Sequence, residues 1–501
     1  MCPLESSSPL DDKDQNEAKK IMTIEETLAP AASALAPSWL TVPSDLNELP
    51  PKIWASGVGR AESGELTISG IGVKALAQKF GTPAYVVSEG DFRLRARMFL
   101  TAFNDAFEAL CGGVDVYYAG KSFLCIEVAR WAVEEGLRLD TCSGGELALA
   151  ARAGIEGSKL GLHGNNKSDA ELVRALEMGV GRIIVDSLQE LKRTGELARA
   201  RGTKAPVLLR LTPGVHAETH EFIATAHEDQ KFGLSMASVH GQKSAAESAV
   251  AAALDDSGIH LLGVHSHIGS QIFSPDGFAL AAERLLAFIA DIHKNYGVPL
   301  KELDLGGGYG IAYTEADHPQ NPKDVAGAMA RVVADSCDRL GIDVPRISIE
   351  PGRAIVGSST FTLYEVGTLK TNHVEHGSGT LPRRYVSVDG GMSDNPRPVL
   401  YGADYSATLA SRTSDADPAL SRVVGRHCES GDILVRDVYL PADLQPRDLL
   451  AVPATGAYCW VLSSNYNYTP RPPVVAVAGG RARLIVRGET EEDLFRRDVW
   501  G

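Results

Sequence analysis

A lone lysine ends a short run of β-branched and aromatic residues early in the chain. Val114-Asp115-Val116-Tyr117-Tyr118-Ala119-Gly120 leads directly into Lys121, the pattern of a buried strand that presents an amine at its carboxyl end. A lysine at a strand end is most often only a solvated charge. A desolvated lysine amine, however, forms Schiff bases with carbonyl compounds. That chemistry requires further groups, above all a site for the rest of the carbonyl compound.

A glycine-rich turn supplies a candidate anion site. Three successive glycines, Gly306, Gly307 and Gly308, follow the apolar run Leu303-Asp304-Leu305, and without Cβ atoms they let backbone N–H groups approach an anion. Further along, Gly352 and Arg353 follow another such run, and arginine binds phosphate or carboxylate through paired hydrogen bonds. A glycine-rich turn alone is often just a tight connection, but together these residues favour a phosphate site.

Glu350, just before Pro351, is the mechanistically informative carboxylate. Taken alone, it could simply cap a helix. Beside a pyridine nitrogen it would keep that nitrogen protonated and make the ring a strong electron sink, which suits carbanion chemistry. With Lys121 and the glycines, this set predicts pyridoxal 5'-phosphate as the cofactor.

Two histidines two residues apart leave a choice between metal and cofactor chemistry. His265 and His267 lie in Val264-His265-Ser266-His267-Ile268-Gly269-Ser270, and alternate residues of a strand share a face. A zinc site needs a third protein ligand, and none stands at a suggestive spacing. We therefore predict no metal and assign His267, nearer the strand end, to stacking on the cofactor ring.

Composition excludes several classes of protein. The chain of 501 residues has a formal net charge of −15 and a pI near 5.4, which argues against nucleic-acid and anionic-membrane partners. No apolar run is long enough to span a membrane, and the first residues do not resemble an export signal. The seven cysteines are scattered without a C-x-x-C pair, as expected in the reducing cytoplasm.

The elements that must position these residues follow a repeated pattern. After Lys121, apolar runs that end in a polar or glycine residue alternate with helical patterns, and this alternation is typical of βα units. Eight runs predict a (β/α)₈ TIM-like barrel with its site at the carboxyl ends of the strands. The runs end at Lys121, Asp140, His163, Asp186, Arg210, His267, Gly306 and Glu350.

Four segments are expected along the chain. Residues 1–51 form a flexible extension, 52–85 a connecting segment that joins either the barrel or the β domain, and 86–352 the cofactor-binding barrel. Residues 353–501 form a C-terminal β domain that contributes to the substrate site, because runs with turn signals replace the helical patterns there. The long stretch 212–234, with its three histidines, is expected to form a wall of the site.

The ordered motifs resemble those of fold-type III pyridoxal-phosphate-dependent decarboxylases. The resemblance runs from about residue 81 to 487; Gly120 departs from it, because alanine is commoner there. Within this family, the segments 394–402, 428–432 and 456–458 resemble the branch that converts meso-2,6-diaminopimelate to L-lysine and carbon dioxide, the last step of lysine biosynthesis. The motifs are Tyr118-Ala119-Gly120-Lys121, His265 to Gln271, Gly306-Gly307-Gly308 and Glu350-Pro351-Gly352-Arg353.

The resemblance implies a role for each matching residue. Lys121 would hold the cofactor covalently, His267 would stack on its ring and Glu350 would pair with its nitrogen. Cys428 would donate a proton near the reacting carbon. The remaining cofactor contacts would come from Asp140, Ser270, Gly307, Gly308, Gly352, Arg353 and Tyr458. The substrate would be bound by Arg353, Arg397, Tyr401, Glu429 and Tyr458.

The resemblance also implies a homodimer with shared sites, in which Cys428 and Glu429 reach the other subunit's barrel. Arg397 and Glu429 would suit a substrate with a second amino-acid head, because one can bind its carboxylate and the other its ammonium group. Three alternatives remain: a decarboxylase of ornithine or arginine, an amino-acid racemase, and a non-catalytic carrier of the cofactor. Glu350 argues against the racemase, which is expected to have arginine there, and the β domain argues against the carrier.

Overall fold

The computed structural model describes residues 32–214, 230–238 and 241–499. Most of the predicted flexible extension, residues 1–31, lies outside the described residues, and so does most of the predicted site wall, residues 215–229.

The first described elements precede the barrel. Three short strands form a small antiparallel sheet, and a helix and a fourth strand follow. These elements are β1 (Val58–Arg60), β2 (Leu66–Ile68), β3 (Ile71–Gly72), α1 (Val73–Phe80) and β4 (Ala84–Ser88).

Eight parallel strands then close into a barrel. In order around it they are β9-β11-β12-β13-β5-β6-β7-β8, and β8 pairs with β9 to complete the circle; the two-residue β10 adds to β9 outside it. The strands are β5 (Val114–Ala119), β6 (Arg138–Thr141), β7 (Leu160–Leu162), β8 (Arg182–Val185), β9 (Ala205–Thr212), β10 (Leu234–Ser235), β11 (Ile259–His265), β12 (Glu302–Asp304) and β13 (Arg346–Ile349).

Helices surround the barrel, and serine caps begin many of them. Five helices start after a serine whose hydroxyl accepts a hydrogen bond from a backbone N–H of the first turn, which ends the preceding loop at a fixed point. The caps are Ser88, Ser143, Ser168, Ser187 and Ser244. The helices are α2 (Glu89–Cys111), α3 (Ile126–Glu134), α4 (Gly144–Ala153), α5 (Asp169–Met178), α6 (Leu188–Arg199), α7 (Ala245–Asp255), α8 (Asp276–Tyr296), α9 (Pro322–Leu340) and α10 (Arg353–Val356).

A mixed β domain completes the fold. Its spine is the 17-residue β14, whose first half pairs with β4 and β19 and whose second half pairs with β15. β4 also pairs with β20, so a strand that precedes the barrel belongs to this sheet. The elements are β14 (Thr360–His376), β15 (Gly379–Val388), α11 (Arg397–Tyr401), β16 (Thr408–Leu409), β17 (Pro418–Val424), β18 (Ile433–Pro441), β19 (Leu449–Pro453), β20 (Val474–Ala478), β21 (Arg481–Val486) and α12 (Glu491–Phe495).

The predicted fold class, a (β/α)₈ barrel with a C-terminal β domain, is confirmed. One continuous hydrophobic core contains barrel residues such as Val116 and Leu209 and β-domain residues such as Tyr364 and Val452. Because the two domains share a core, the carboxyl ends of the barrel strands stand in a fixed position next to the β domain. Among the described residues, no helix combines the length and the apolar character needed to cross a bilayer.

Candidate active site

Lys121 lies in a single helical turn, Gly120–Ser122, directly after β5. Its side chain is exposed at the barrel mouth. Burial of the surrounding site lowers the pKa of the amine, but Tyr458, Cys142 and Glu350 outweigh this effect, and the net pKa is raised. The turn is fastened to the β domain, because the backbone N–H of Tyr458 donates to the Ser122 carbonyl at 2.9 Å. The amine therefore projects from a rigid support.

Gly120, where the resemblance leads one to expect alanine, packs closely against the next strand. A Cβ on Gly120 would stand 2.6 Å from the Asp140 carbonyl oxygen, well inside van der Waals contact. Glycine in place of alanine therefore allows β5 and β6 to approach each other closely at the base of the turn that carries Lys121.

Two histidines approach the carboxylate of Glu350 from the ends of β7 and β11, which are not adjacent to each other or to β13 in the barrel. Nε2 of His265 lies 2.9 Å from Oε1 of Glu350, and Nε2 of His163 lies 3.3 Å from the same oxygen and 3.2 Å from Asp140 Oδ1. An ionised carboxylate only accepts hydrogen bonds, so with Glu350 ionised the Nε2 of His265 carries the proton. This group fixes Oε1 of Glu350 at the barrel mouth.

Burial controls the charge of this group. It raises the pKa of Glu350 to about 7, while the nearby His163 acts in the opposite direction. It raises the pKa of Asp140 to about 8, opposed by the positive charge of Lys121. It lowers the pKa of His163 to about 4 and that of His265 well below the ordinary value. Both imidazoles are therefore neutral at pH 7, and the carboxyls hold protons more tightly than usual.

The structure separates His265 from His267, whose spacing had raised the alternative of a metal site. β11 ends at His265, and the potential metal-ligand group that the described residues form consists of His163, His265 and Glu350, with ligand atoms within 4.8 Å of one another. His267 instead lies beyond the strand, where its Nδ1 accepts a hydrogen bond from the N–H of Gly307 at 3.2 Å. Its ring is thus tied to the glycine turn.

The glycine turn after β12 has no room for side chains. Gly308 has a φ of +118°, and a Cβ there would stand 2.6 Å from the Gly269 carbonyl. A Cβ on Gly307 would stand 2.3 Å from the Glu350 carbonyl, and one on Gly352 would lie 2.9 Å from Ala119 Cβ. The loops after β11, β12 and β13 are thereby packed closely together, at the end of the barrel where loops of such folds bind phosphate.

Two buried arginines stand beside this turn. Arg353 donates to Ser270 Oγ at 2.8 Å and to the Tyr313 hydroxyl, and its guanidinium lies 4.7 Å from the centre of the Tyr458 ring. Arg397, at the start of α11, donates to the Tyr405 hydroxyl at 2.6 Å. Within the described residues, neither arginine has a carboxylate within ion-pair distance. Because buried cations are normally paired, both sites are suited to anions supplied by ligands.

The remaining candidates lie in the β domain and are more exposed. Cys428 and Glu429 are exposed at the tip of the turn between β17 and β18. In the described chain, neither side chain makes a hydrogen bond or ion pair with a barrel residue. Tyr401 is half-buried at the end of α11, and it likewise makes no side-chain hydrogen bond to another described residue. The structure therefore brings Lys121, Glu350, His267, Arg353 and Tyr458 together, but not these three.

Sequence reasoning missed three residues of this site: His163, Tyr313 and Tyr405. His163 follows β7 directly, and its place in the series of strand ends was a usable signal. Tyr313 and Tyr405 stand in irregular segments that carry no periodic pattern, so nothing in the sequence marked them.

The residues present fit pyridoxal 5'-phosphate. The glycine turn is packed closely against the neighbouring loops, as a phosphate-binding turn requires. Arg353 is a buried cation without a protein anion in the described structure. Asp140 Oδ2 is a buried acceptor with no described hydrogen-bond partner. Glu350 is fixed where a ring nitrogen can meet a carboxylate, and Lys121 is the accessible amine. Fold and site together define a pyridoxal-phosphate-dependent decarboxylase of the barrel-plus-β-domain class.

Comparisons with known proteins agree with this class and narrow it. Residues 96–357 match the family model described as "Pyridoxal-dependent decarboxylase, pyridoxal binding domain". Diaminopimelate decarboxylase of Mycobacterium tuberculosis is 50% identical over 460 residues, 91% of this chain and all of that protein. The Bacillus subtilis enzyme of the same name is 43% identical over 440 residues, 87% of this chain and 96% of that one.

A solved structure shares the fold over most of the chain. The crystal structure of diaminopimelate decarboxylase from M. jannaschii in co-complex with L-lysine has a TM-score of 0.81 and 30% identity, and covers 89% of this chain and 98% of that chain. The chain belongs to the diaminopimelate decarboxylase family, and its cofactor is pyridoxal 5'-phosphate.

Proposed function

We propose that this protein removes one carboxyl group from meso-2,6-diaminopimelate and releases carbon dioxide and L-lysine, the last step of lysine biosynthesis. The main support for this proposal is the burial of Arg397 without an anion. Its side chain is only 6% exposed, and it has no carboxylate partner among the described residues. A substrate that keeps a second carboxylate away from the reacting carbon supplies the missing anion. Ornithine has no such group.

The barrel residues hold and orient the cofactor. Lys121 binds it covalently through its amine, and the turn Gly306–Gly308 with Gly352, Ser270 and Arg353 holds its phosphate. When bound, the cofactor supplies a conjugated ring that takes up the electrons left behind when the carboxyl group departs. Glu350 would keep a proton at the ring nitrogen, and the hydrogen bond from His265 Nε2 holds that carboxylate in place. His267 packs against the ring face, and Asp140 contributes a further acceptor.

No metal is part of this proposal. The ligand atoms of His163, His265 and Glu350 are close enough to hold an ion, but an ion would take the Glu350 carboxylate away from the ring nitrogen. A hydrogen-bonded group that orients the carboxylate serves the cofactor directly.

The β domain, residues 353–501, supplies the substrate contacts. Arg397 binds the distal carboxylate, Glu429 the distal ammonium group, and Arg353, Tyr401 and Tyr458 complete the site. Cys428 provides the proton that replaces the departing carboxyl group.

The sites are shared in a homodimer, with Cys428 and Glu429 serving the partner's barrel. Their exposed turn is held firmly at its base, because Asp432 Oδ2 accepts from the His427 N–H at 2.8 Å and His427 Nε2 lies 2.8 Å from Ser393 Oγ. An exposed but rigid turn suits insertion into a second subunit. We place the reaction in the cytoplasm, in keeping with the six free cysteines of the described chain.

A substrate comparison tests the proposal. Carbon dioxide release by the cofactor-loaded protein is measured with meso-diaminopimelate, ornithine and arginine. We expect turnover of the first and poor turnover of the others, and a loss in kcat/KM of roughly a hundredfold in Arg397→Ala, the effect of losing a charge-assisted contact. Arg331→Ala, at an exposed position of α9, is the matched control. Equal rates on ornithine would instead favour the rival decarboxylase.

A further inference from the structure

Two buried tyrosines contact Arg353 and Arg397, the two arginines that have no carboxylate partner among the described residues of this site. Tyr313 and Tyr405 are 5% and 1% exposed, and their rings pack edge to face with centroids 5.0 Å apart. This pair, called the tyrosine bracket below, lies between the phosphate side of the site and the start of α11. Neither residue belongs to the motifs recognised in the sequence.

Each arginine contacts the bracket in a different way. Arg353 donates to the Tyr313 hydroxyl. Arg397 donates to the Tyr405 hydroxyl at 2.6 Å, and its guanidinium stands 4.5 Å from the centre of the Tyr313 ring. Tyr313 thus touches both arginines, one through its hydroxyl and one through its ring. Tyr313 is therefore a contact that the two cations share.

The contacts of Arg397 orient its guanidinium but do not neutralise its positive charge. A tyrosine hydroxyl and a ring face are neutral partners, which orient a guanidinium but do not cancel its charge. Arg397 Nε has no hydrogen-bond partner among the described residues. The described residues thus orient the cation without supplying an anion to pair with it.

The bracket is itself anchored on both sides. The backbone N–H groups of Tyr313 and Thr314 both donate to Asp317 Oδ2 at 2.9 Å. Ser406 Oγ donates to the Tyr313 carbonyl at 3.2 Å, which joins the two tyrosine segments, and the Tyr405 hydroxyl lies 3.5 Å from Cys459 Sγ. A guanidinium held by such a support loses little freedom when it binds a carboxylate.

We infer that Tyr313 and Tyr405 are positioning residues for specificity, which aim Arg397 at the distal carboxylate and set its distance from Arg353. The inference rests on the proposed function, in which Arg397 binds that carboxylate. The tyrosines act through the arginines and do not touch the reacting carbon.

The experiment uses two inhibitors that differ only in the recognised group. L-Lysine keeps the distal carboxylate, because only the other carboxyl group leaves, whereas 1,5-diaminopentane has none. Inhibition constants of both are measured on the cofactor-loaded enzyme, together with KM, kcat and melting temperature. The variants are Tyr405→Phe, Tyr313→Phe and Tyr313→Leu, with Tyr296→Phe on the outer helix α8 as the matched control.

Tyr405→Phe should raise the L-lysine inhibition constant and the KM for meso-diaminopimelate roughly tenfold, since a hydrogen bond to a charged group is lost. In Tyr405→Phe, the inhibition constant of 1,5-diaminopentane and the cofactor absorption band should not change. The control variant Tyr296→Phe should behave like the wild type in every measurement. Tyr313→Leu should weaken L-lysine more than Tyr313→Phe, which keeps the ring under Arg397. A merely structural role would instead weaken both inhibitors alike and lower the melting temperature.

Failure of the proposed function and failure of the inference about the tyrosines would give different results. If the wild-type enzyme releases no carbon dioxide from meso-diaminopimelate, the proposed function is wrong and this inference falls with it. If the wild type is active and Arg397→Ala loses affinity for L-lysine, but Tyr405→Phe retains it, the bracket does not position Arg397 and this inference alone is overturned. Tyr405→Phe decides the matter if Tyr313→Leu does not fold.

Discussion

The charges of the site are set by burial, and the chain leaves some of them for ligands to balance. Arg353 and Arg397 are buried cations without a carboxylate partner in the described structure. Glu350 and Asp140 are buried carboxyls whose pKa values are raised to about 7 and about 8. Such an arrangement costs stability in the unloaded protein and is offset when a charged cofactor and substrate bind.

Glu350→Gln tests the carboxylate at the ring nitrogen. The amide keeps the shape of the side chain but cannot hold the nitrogen protonated, so the cofactor should stay bound while kcat falls at least about a hundredfold. Absorption spectra and carbon dioxide release measure the two effects separately. Turnover close to that of the wild type would contradict the assignment.

The pH dependence of the unloaded protein tests the raised pKa of Asp140. Because this pKa is about 8 in the folded protein and 3.8 ordinarily, only the folded state binds the proton between those values, and stability falls as pH rises through that window. The loss attributable to Asp140 should be up to about 1.4 kcal/mol per pH unit. The raised pKa of Glu350 adds to this loss up to about pH 7, and the lowered pKa of His163 opposes it with an effect that fades above pH 6.5. Denaturant unfolding between pH 6.5 and 8 measures it.

Asp140→Asn should flatten that slope, and Asp291→Asn, at an exposed position of α8, should leave it unchanged. A wild-type slope that is the same in Asp140→Asn would show that Asp140 does not hold the proton. The measurement must use cofactor-free protein, because a bound cofactor would change the charges around Asp140.

At the scale of the elements, three loops at the carboxyl ends of β11, β12 and β13 make the anion site by packing closely. Gly308, with φ +118°, lies against the Gly269 carbonyl, and Gly307 lies against the Glu350 carbonyl. The shape of this anion site therefore depends on how the loops pack as well as on the glycines they contain.

Gly308→Ala tests the packing of this turn. The new Cβ would meet the Gly269 carbonyl at 2.6 Å in a backbone conformation unfavourable for alanine, so affinity for pyridoxal phosphate should fall at least roughly tenfold. Gly341→Ala is the matched control, since Gly341 also has a positive φ, +65°, but open space around it. Equilibrium titration of the cofactor compares the two; equal affinities would contradict the cradle.

Local patterns predicted the barrel strands well, but they could not reveal pairings distant in sequence. Lys121, Asp140 and Glu350 were identifiable because each ends an apolar run. The β4 strand looks like an ordinary strand, and only its pairing with β14 and β20 places it in the β domain. The outer half of β14, from Lys370 to His376, carries no apolar run that would mark it as a strand, because all of its residues except Val374 are polar.

The site residues that sequence reasoning missed have the same explanation. The contact of His163 with Glu350 depends on the closure of the barrel, and the contacts of Tyr313 with Arg353 and Arg397 join three segments that are distant in sequence. Residue type and spacing predict which residues lie at a strand end, but not which side chains contact one another across the mouth of the barrel.

At the level of the whole molecule, we propose that the barrel binds the cofactor and the β domain recognises the distal end of the substrate. The shared core fixes Arg397 relative to Lys121 within one chain. The exposed Cys428 and Glu429 contact no barrel residue of the described chain through a side-chain hydrogen bond or ion pair. A two-fold dimer would use them twice, once in each site.

Subunit mixing tests the shared sites. Lys121→Ala and Glu429→Ala should each be inactive, but a mixed dimer would have one doubly damaged site and one intact site. Random pairing of equal amounts should restore about a quarter of wild-type activity, because about half of the dimers are mixed. Mixed dimers that form without any return of activity would contradict shared sites and leave the cofactor assignment untouched.

The most direct test of the account is to locate the covalent attachment of the cofactor. Borohydride reduction of the loaded protein converts a Schiff base to a stable secondary amine, and mass spectrometry of its peptides identifies the modified lysine. We expect one phosphopyridoxyl group per chain, on Lys121, and no visible cofactor band in Lys121→Ala supplied with pyridoxal phosphate. A label on another lysine such as Lys167, or an unchanged band in the variant, would show that the site is not built around Lys121.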